Sequence, residues 1–224
     1  MKNLYLISYL LFQTINGYLI YPKFFNNDVS KKINLLLKNE VKNPIIIDGV
    51  KTPLKKDLCK IIAQQNYIPF CEYNFKDFIL HLPHLINQES LIYVPDFLID
   101  NGRILYQHEY EILKEMYPIK PLIVFESENI KTIPLKDTYL IKRFSIYDFP
   151  EISKKEINRY ISDLISIFKY NDDLFLLNMT QYNIDKLNLE KIAMLIFELN
   201  NLYNENNNID YVNNQINEII ESFV

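Results

Sequence analysis

The chain has 224 residues, 49% of them hydrophobic and 14% aromatic, enough for one domain with a substantial core and an appendage. Its net charge is −4, with lysines and acids interspersed, so no basic stripe of the kind nucleic-acid binding needs is present. Two cysteines, Cys59 and Cys71, sit in apolar segments without metal or redox spacing and read as reduced core residues of an intracellular, reducing compartment.

Only three glycines occur, lysine far outnumbers arginine, and Asn, Ile, Tyr and Phe abound. That usage is the footprint of an AT-rich genome, such as that of an organelle, a reduced parasite or an endosymbiont. Mitochondrion and plastid, with membrane association, are therefore among the expected locations.

Residues 1–24 form a first segment. Between Lys2 and Lys23 there is no charged residue, and residues 4–21 read LYLISYLLFQTINGYLIY. Eighteen such residues just suffice to cross a bilayer, but Gln13, Thr14, Asn16 and Gly17 interrupt the run. Two readings stay open: a membrane-contacting segment, or an amphipathic helix packed on the domain or on a partner. A cleaved signal peptide is disfavoured, since no small-residue cleavage site follows.

Residues 25–150 carry strands alternating with helices. After a helical pattern at Val29–Leu37 comes Pro44-Ile-Ile-Ile-Asp-Gly49-Val-Lys-Thr-Pro-Leu54-Lys55-Lys56, an apolar run, a loop and the start of a helix over 54–65. Strand, loop and helix follow each other as in the phosphate-binding pattern G-x-x-x-x-G-K-[ST]. Gly49 and Lys55 match it, whereas Leu54 replaces the second glycine and Lys56 the magnesium-binding hydroxyl. A β-carbon at Leu54 obstructs close backbone approach to a phosphate, and Pro53 lacks a donor N–H. Lys56 removes a metal ligand and puts positive charge where the cation would sit, so hydrolysis by this loop is not expected. Lys55 and Lys56 leave room only for weak residual binding of ATP or ADP as point charges. The competing reading is an ordinary strand–turn–helix with lysines on a solvated first turn.

Further strands are predicted at 68–73, 91–97, 122–125 and 144–149, and further helices at 75–86 and 104–117. The alternation implies a three-layer α/β/α core with a parallel sheet. From 151 to 224 only helical patterns remain, at 154–170, 174–182, 189–203 and 209–223, which make a small helical lid. Ser153 and Glu156 form a capping-box signature at the first of them.

Other chemistry is set aside on spacing. His108-Glu109-Tyr-Glu-Ile112 lacks the second histidine of a zinc-protease helix, and His81 and His84 have no ligand cluster around them. Neither a G-x-S-x-G elbow nor a G-x-G-x-x-G loop occurs.

Taken in order, these segments resemble the AAA+ ATPase module over about residues 29–203. The resemblance implies a P-loop NTPase-like core and assigns Asp96, in Leu91-Ile-Tyr-Val-Pro-Asp96-Phe97, to the strand that normally ends in an Asp-Glu pair. At most one of those carboxylates survives. It likewise implies that Asn129 stands at the polar sensor position after Leu122–Phe125, and that Arg143, before Phe144, inherits the arginine that reaches a neighbour's nucleotide. Leu187–Ala193 is similar to the lid of membrane-bound AAA+ proteases and unfoldases. No catalytic residue and no metal site are expected, and Gly49, Lys55, Lys56, Asp96 and Asn129 are expected to be vestigial nucleotide-binding positions. The resemblance thus implies a pseudo-ATPase that is a structural or assembly subunit among other protein subunits. The alternative is a non-catalytic member of an AAA+ ring, clamp-loader-like or protease-motor-like, with Arg143 acting in trans.

Overall fold

The isoleucine run before Asp48 becomes the strand around which the sheet is built. In the computed structural model this strand, β1 (Ile45–Asp48), is buried at all four positions, as a parallel strand covered on both faces must be. The structure describes residues 22–39, 43–95, 99–100, 103–104, 119–128, 130, 144–177 and 179–223. They form two compact units, one from Asn26 to Glu151, the other holding a 3-10 turn at Lys23–Phe25 and the chain from Ile152 on.

In the first unit α1 (Asp28–Leu37) precedes β1, and then come α2 (Leu54–Gln65), β2 (Phe70–Glu72), α3 (Phe75–Leu85) and β3 (Leu91–Val94). A two-stranded antiparallel pair, β4 (Ile99–Asp100) and β5 (Arg103–Ile104), follows, and after it β6 (Leu122–Ser127) and β7 (Ser145–Asp148). The five-stranded sheet has the order β2-β3-β6-β1-β7, and each of its pairings is parallel. The expected α/β core with a parallel sheet and trailing helices is what the chain forms.

Pleating separates two chemistries. One face sends Ile46, Ile92, Val94, Ile123 and Phe125 against Phe75, Phe78, Leu82 and Leu85, the buried side of α3. Burying an aliphatic side chain of this kind contributes about 1.5–3 kcal/mol, and Phe78 and Phe125 add an edge-to-face contact at 5.7 Å. The opposite face carries Tyr93 and Glu126 beneath α2, so polar groups enter the core on that side. Asn74 caps α3 by accepting from the Asp77 N–H at 2.9 Å.

In the second unit α4 (Lys154–Phe168) begins with the expected capping box. Ser153 Oγ accepts from the Glu156 N–H at 3.3 Å, and Glu156 Oε2 accepts from the Ser153 N–H at 2.9 Å. The helix expected over 174–182 is instead a chain of 3-10 turns at Asp172–Leu176, Met179–Gln181 and Ile184–Lys186. Polar residues recur there every few positions. The Asn171 side chain, for one, accepts from the Asp173 N–H at 2.9 Å, a local bond that competes with the helical ladder. An antiparallel pair completes the unit: α5 (Leu189–Asn206), capped by Asn188, and α6 (Ile209–Phe223). Lys191 at the start of α5 donates to the Phe223 carbonyl at the end of α6. Among the described residues no helix is long and apolar enough to cross a membrane, and residues 1–21 lie outside them.

Replacing Ser153 by alanine should lower the stability of the helical unit by about 1 kcal/mol, seen as a lower urea midpoint; an unchanged midpoint would show that the box contributes nothing.

Candidate functional site

In an open parallel sheet, ligands bind beyond the carboxyl ends of the strands, where the strand order reverses. Here that place is the gap between the ends of β1 and β6, since β1 connects onward toward β2 while β6 connects across β1 to β7. The loop from Gly49 to Pro53 lies at this gap, and α2 starts behind it.

Gly49 has φ +132°, and a Cβ there would stand 3.0 Å from the Phe149 carbonyl oxygen. Glycine is therefore required by conformation and by space together. Its own N–H donates to the Ser127 carbonyl at 3.2 Å, and the Phe149 N–H donates to the Asp48 carbonyl at 2.7 Å. These bonds lace the loop to the ends of β6 and β7. Farther on, the Leu54 N–H donates to Thr52 Oγ1 at 3.3 Å and the Lys55 N–H to the Thr52 carbonyl at 3.3 Å. Pro53 supplies no N–H, so three successive positions at the head of α2 offer no unengaged backbone donor to a phosphate.

Lys55 is wholly buried. Its ammonium donates to the Gly49 carbonyl at 2.8 Å and to the Ser127 carbonyl at 3.0 Å, and it pairs with Glu126 Oε1 at 3.4 Å. Two of the ammonium's three donors thus meet carbonyls, and the carboxylate balances its charge. Glu126 in turn accepts a hydrogen bond from the Tyr93 hydroxyl through Oε2, while Oε1 accepts no directed hydrogen bond among the described residues. That contact is an ion pair rather than an aligned hydrogen bond.

Burial pushes the Lys55 ammonium below the ordinary lysine value, and attraction to Glu126 works against that push. Tyr93 is shifted the other way, first by burial and then by the charge of Glu126, so its phenol holds its proton. Burial also raises the Cys59 thiol, which makes it an inert core group. Asp48, at the end of β1, accepts from the Ile130 N–H at 3.0 Å through Oδ1.

Lys56 points elsewhere and meets Glu72 of β2 at 2.9 Å, a half-exposed ion pair. Of the positions expected from sequence, Gly49 and Lys55 are thus brought together and Lys56 is not. Asp96, Asn129 and Arg143 lie outside the described residues. Sequence reasoning missed Glu126 and Tyr93. Their signal was a carboxylate inside Leu-Ile-Val-Phe-Glu-Ser and a tyrosine inside Leu-Ile-Tyr-Val, polar groups in strands that are otherwise apolar. Among the described residues no cluster of His, Cys, Asp and Glu could hold a metal ion.

Removing one partner of this network leaves the other charge buried alone. Lys55→Met should cost about 3–5 kcal/mol of stability by urea unfolding, and adding Glu126→Gln should recover much of the loss. Equal stability of wild type and Lys55→Met would contradict the pairing.

No protein-family profile matches the chain, and no curated protein sequence does either. Solved structures do. Domain III of the Thermotoga maritima replication initiation protein DnaA superposes with TM-score 0.55 at 13% identity, covering 88% of this chain and 90% of that one. A Thermotoga maritima RuvB variant gives 0.57 at 15% identity, over 88% of this chain and 69% of the other. A katanin structure gives 0.50 at 11% identity, over 75% and 67%. At such identities the likeness establishes architecture: the chain shares with these proteins a fold of a parallel sheet with flanking helices and further helices after it.

Proposed function

We propose that this protein is a catalytically inactive AAA+-like module that serves as a structural or assembly subunit of a larger protein complex. The observation that carries the reading is the engagement of Lys55. In a working phosphate-binding loop the lysine must reach a nucleotide's β- and γ-phosphates. Here a carboxylate of the protein itself, Glu126, takes the place of that negative charge.

Magnitudes favour the inactive reading. Turning Lys55 outward would strand Glu126 at a cost of about 3–5 kcal/mol. It would also give up two charged hydrogen bonds of about 1.5–3 kcal/mol each. Millimolar nucleotide binding is worth only about 4 kcal/mol in total. The buried arrangement therefore wins unless the nucleotide gains far more elsewhere. Leu54, 2% exposed in the place of the second glycine, adds to this.

Loss of hydrolysis leaves a rigid sheet with flanking helices, which suits a protein whose work is to hold others. One of the similar structures concerns katanin self-assembly, so protein partners are in keeping with the fold. Organellar location and membrane contact through residues 4–21 belong to the same proposal and rest on composition alone.

Millimolar MgATP should leave the melting temperature unchanged. A nucleotide present at about a hundred times its Kd would stabilise by about 2.7 kcal/mol, roughly 5–10 °C for a chain of this size. A rise of that order would overturn the proposal.

A further inference from the structure

Among the described residues of the helical unit, the large exposed apolar side chains gather at one end. The Asn171 N–H donates to Asn200 Oδ1 at 3.0 Å, and the Tyr203 hydroxyl donates to Asp173. These bonds tie the 3-10 turn Asp172–Leu176 to the second half of α5. The same turn packs against α4 and α6, and α6 starts three residues after α5 ends. The ends of α4 and α5 and the start of α6 therefore meet, and Ile167, Phe175, Leu176 and Tyr211 project there at 57, 46, 72 and 43% exposure. Beside them Leu174, Leu177, Leu199 and Val212 are buried, so the exposed apolar residues stand directly over the unit's core.

Charge at this end has one dominant sign. Among the described residues at this end Asp172, Asp173, Glu205 and Asp210 are exposed, against Lys169 alone. Two helices, α4 and α5, finish here with no basic residue in the last turn, so their terminal carbonyls add negative partial charge. At the start of α6, where the helix end is positive, Asp210 stands in the first turn. Apolar anchors inside an acidic rim match a cationic amphipathic helix, whose leucine-like face fills the patch while lysine or arginine meets the carboxylates. An anionic lipid surface would be repelled, and a second copy presenting the same acidic end would be repelled too.

We propose that this end of the helical unit, centred on Phe175 and Leu176, is a docking surface for a basic amphipathic helix of a partner protein. It gives the proposed subunit role a surface but does not depend on the state of the Lys55 loop.

The probe is a synthetic fluorescent helix with leucine along one face and lysine along the other, paired with a version carrying glutamate for lysine. The lysine helix should bind the full chain saturably and shift backbone NMR signals of residues 165–176 and 200–213. Added salt should weaken it, and the glutamate helix should not bind. Leu176→Ser and Asp210→Asn alter exposed side chains and should leave the melting temperature in place. Leu176→Ser should weaken binding about tenfold or more, as loss of a central anchor does, and Asp210→Asn should flatten the salt dependence. Four outcomes would overturn the proposal: no binding, equal binding of both helices, shifts spread over other surfaces, or binding untouched by Leu176→Ser. Preferential association with phosphatidylserine vesicles, or self-association through this end, would also overturn it. A changed ATP response would bear on the Lys55 loop and leave this surface standing.

Discussion

One buried ammonium organises the carboxyl edge of the sheet. Lys55 is tied to the carbonyls of Gly49 and Ser127 and paired with Glu126, so it joins the end of β1, the end of β6 and the first turn of α2. A lysine in this position can stay in the core only if its charge is paired, because an unpaired buried charge costs several kcal/mol. The loop conformation follows from that demand. Gly49 must turn through positive φ to aim its carbonyl at the ammonium, and Phe149 closes in behind it.

The same bonds explain why the loop has the outline of a phosphate-binding site without its openness. A phosphate cradle needs a glycine-rich path whose N–H groups point inward and a lysine free to extend. In this chain Thr52 takes the N–H groups of Leu54 and Lys55, and Glu126 takes the place an anion would have. Tyr93 anchors that carboxylate from the neighbouring strand, which keeps the charge fixed beneath α2. The opposite face, filled by Phe75, Phe78 and Phe125, has no such polar element, so the two halves of the core are held by different physics.

Much of the architecture was legible in the sequence because periodicity and caps report backbone demands directly. Ile45–Ile47 before Gly49, the spacing of α2 and the Ser153–Glu156 box each located an element. The 3-10 stretch was not legible: its buried leucines and isoleucines imitate a helical face, while Asn171 and its polar neighbours decide the backbone through local bonds. The site was legible only by half. Motif spacing marks Lys55, but a motif says nothing of where an ammonium points. Its partners Glu126 and Tyr93 lie far downstream in the sequence, on two strands that only the parallel pairing of β3 with β6 sets side by side. Nothing local in the chain connects them.

The central claim concerns the bonding of one side chain, and it can be watched there. The ζ-nitrogen and ε-carbon NMR signals of Lys55 should be followed while MgATP is added to millimolar concentration. An ammonium held by Gly49, Ser127 and Glu126 predicts signals that stay in place and exchange slowly with water. Saturable movement of those signals with nucleotide would show that Lys55 leaves its carboxylate for a phosphate, and would contradict the account.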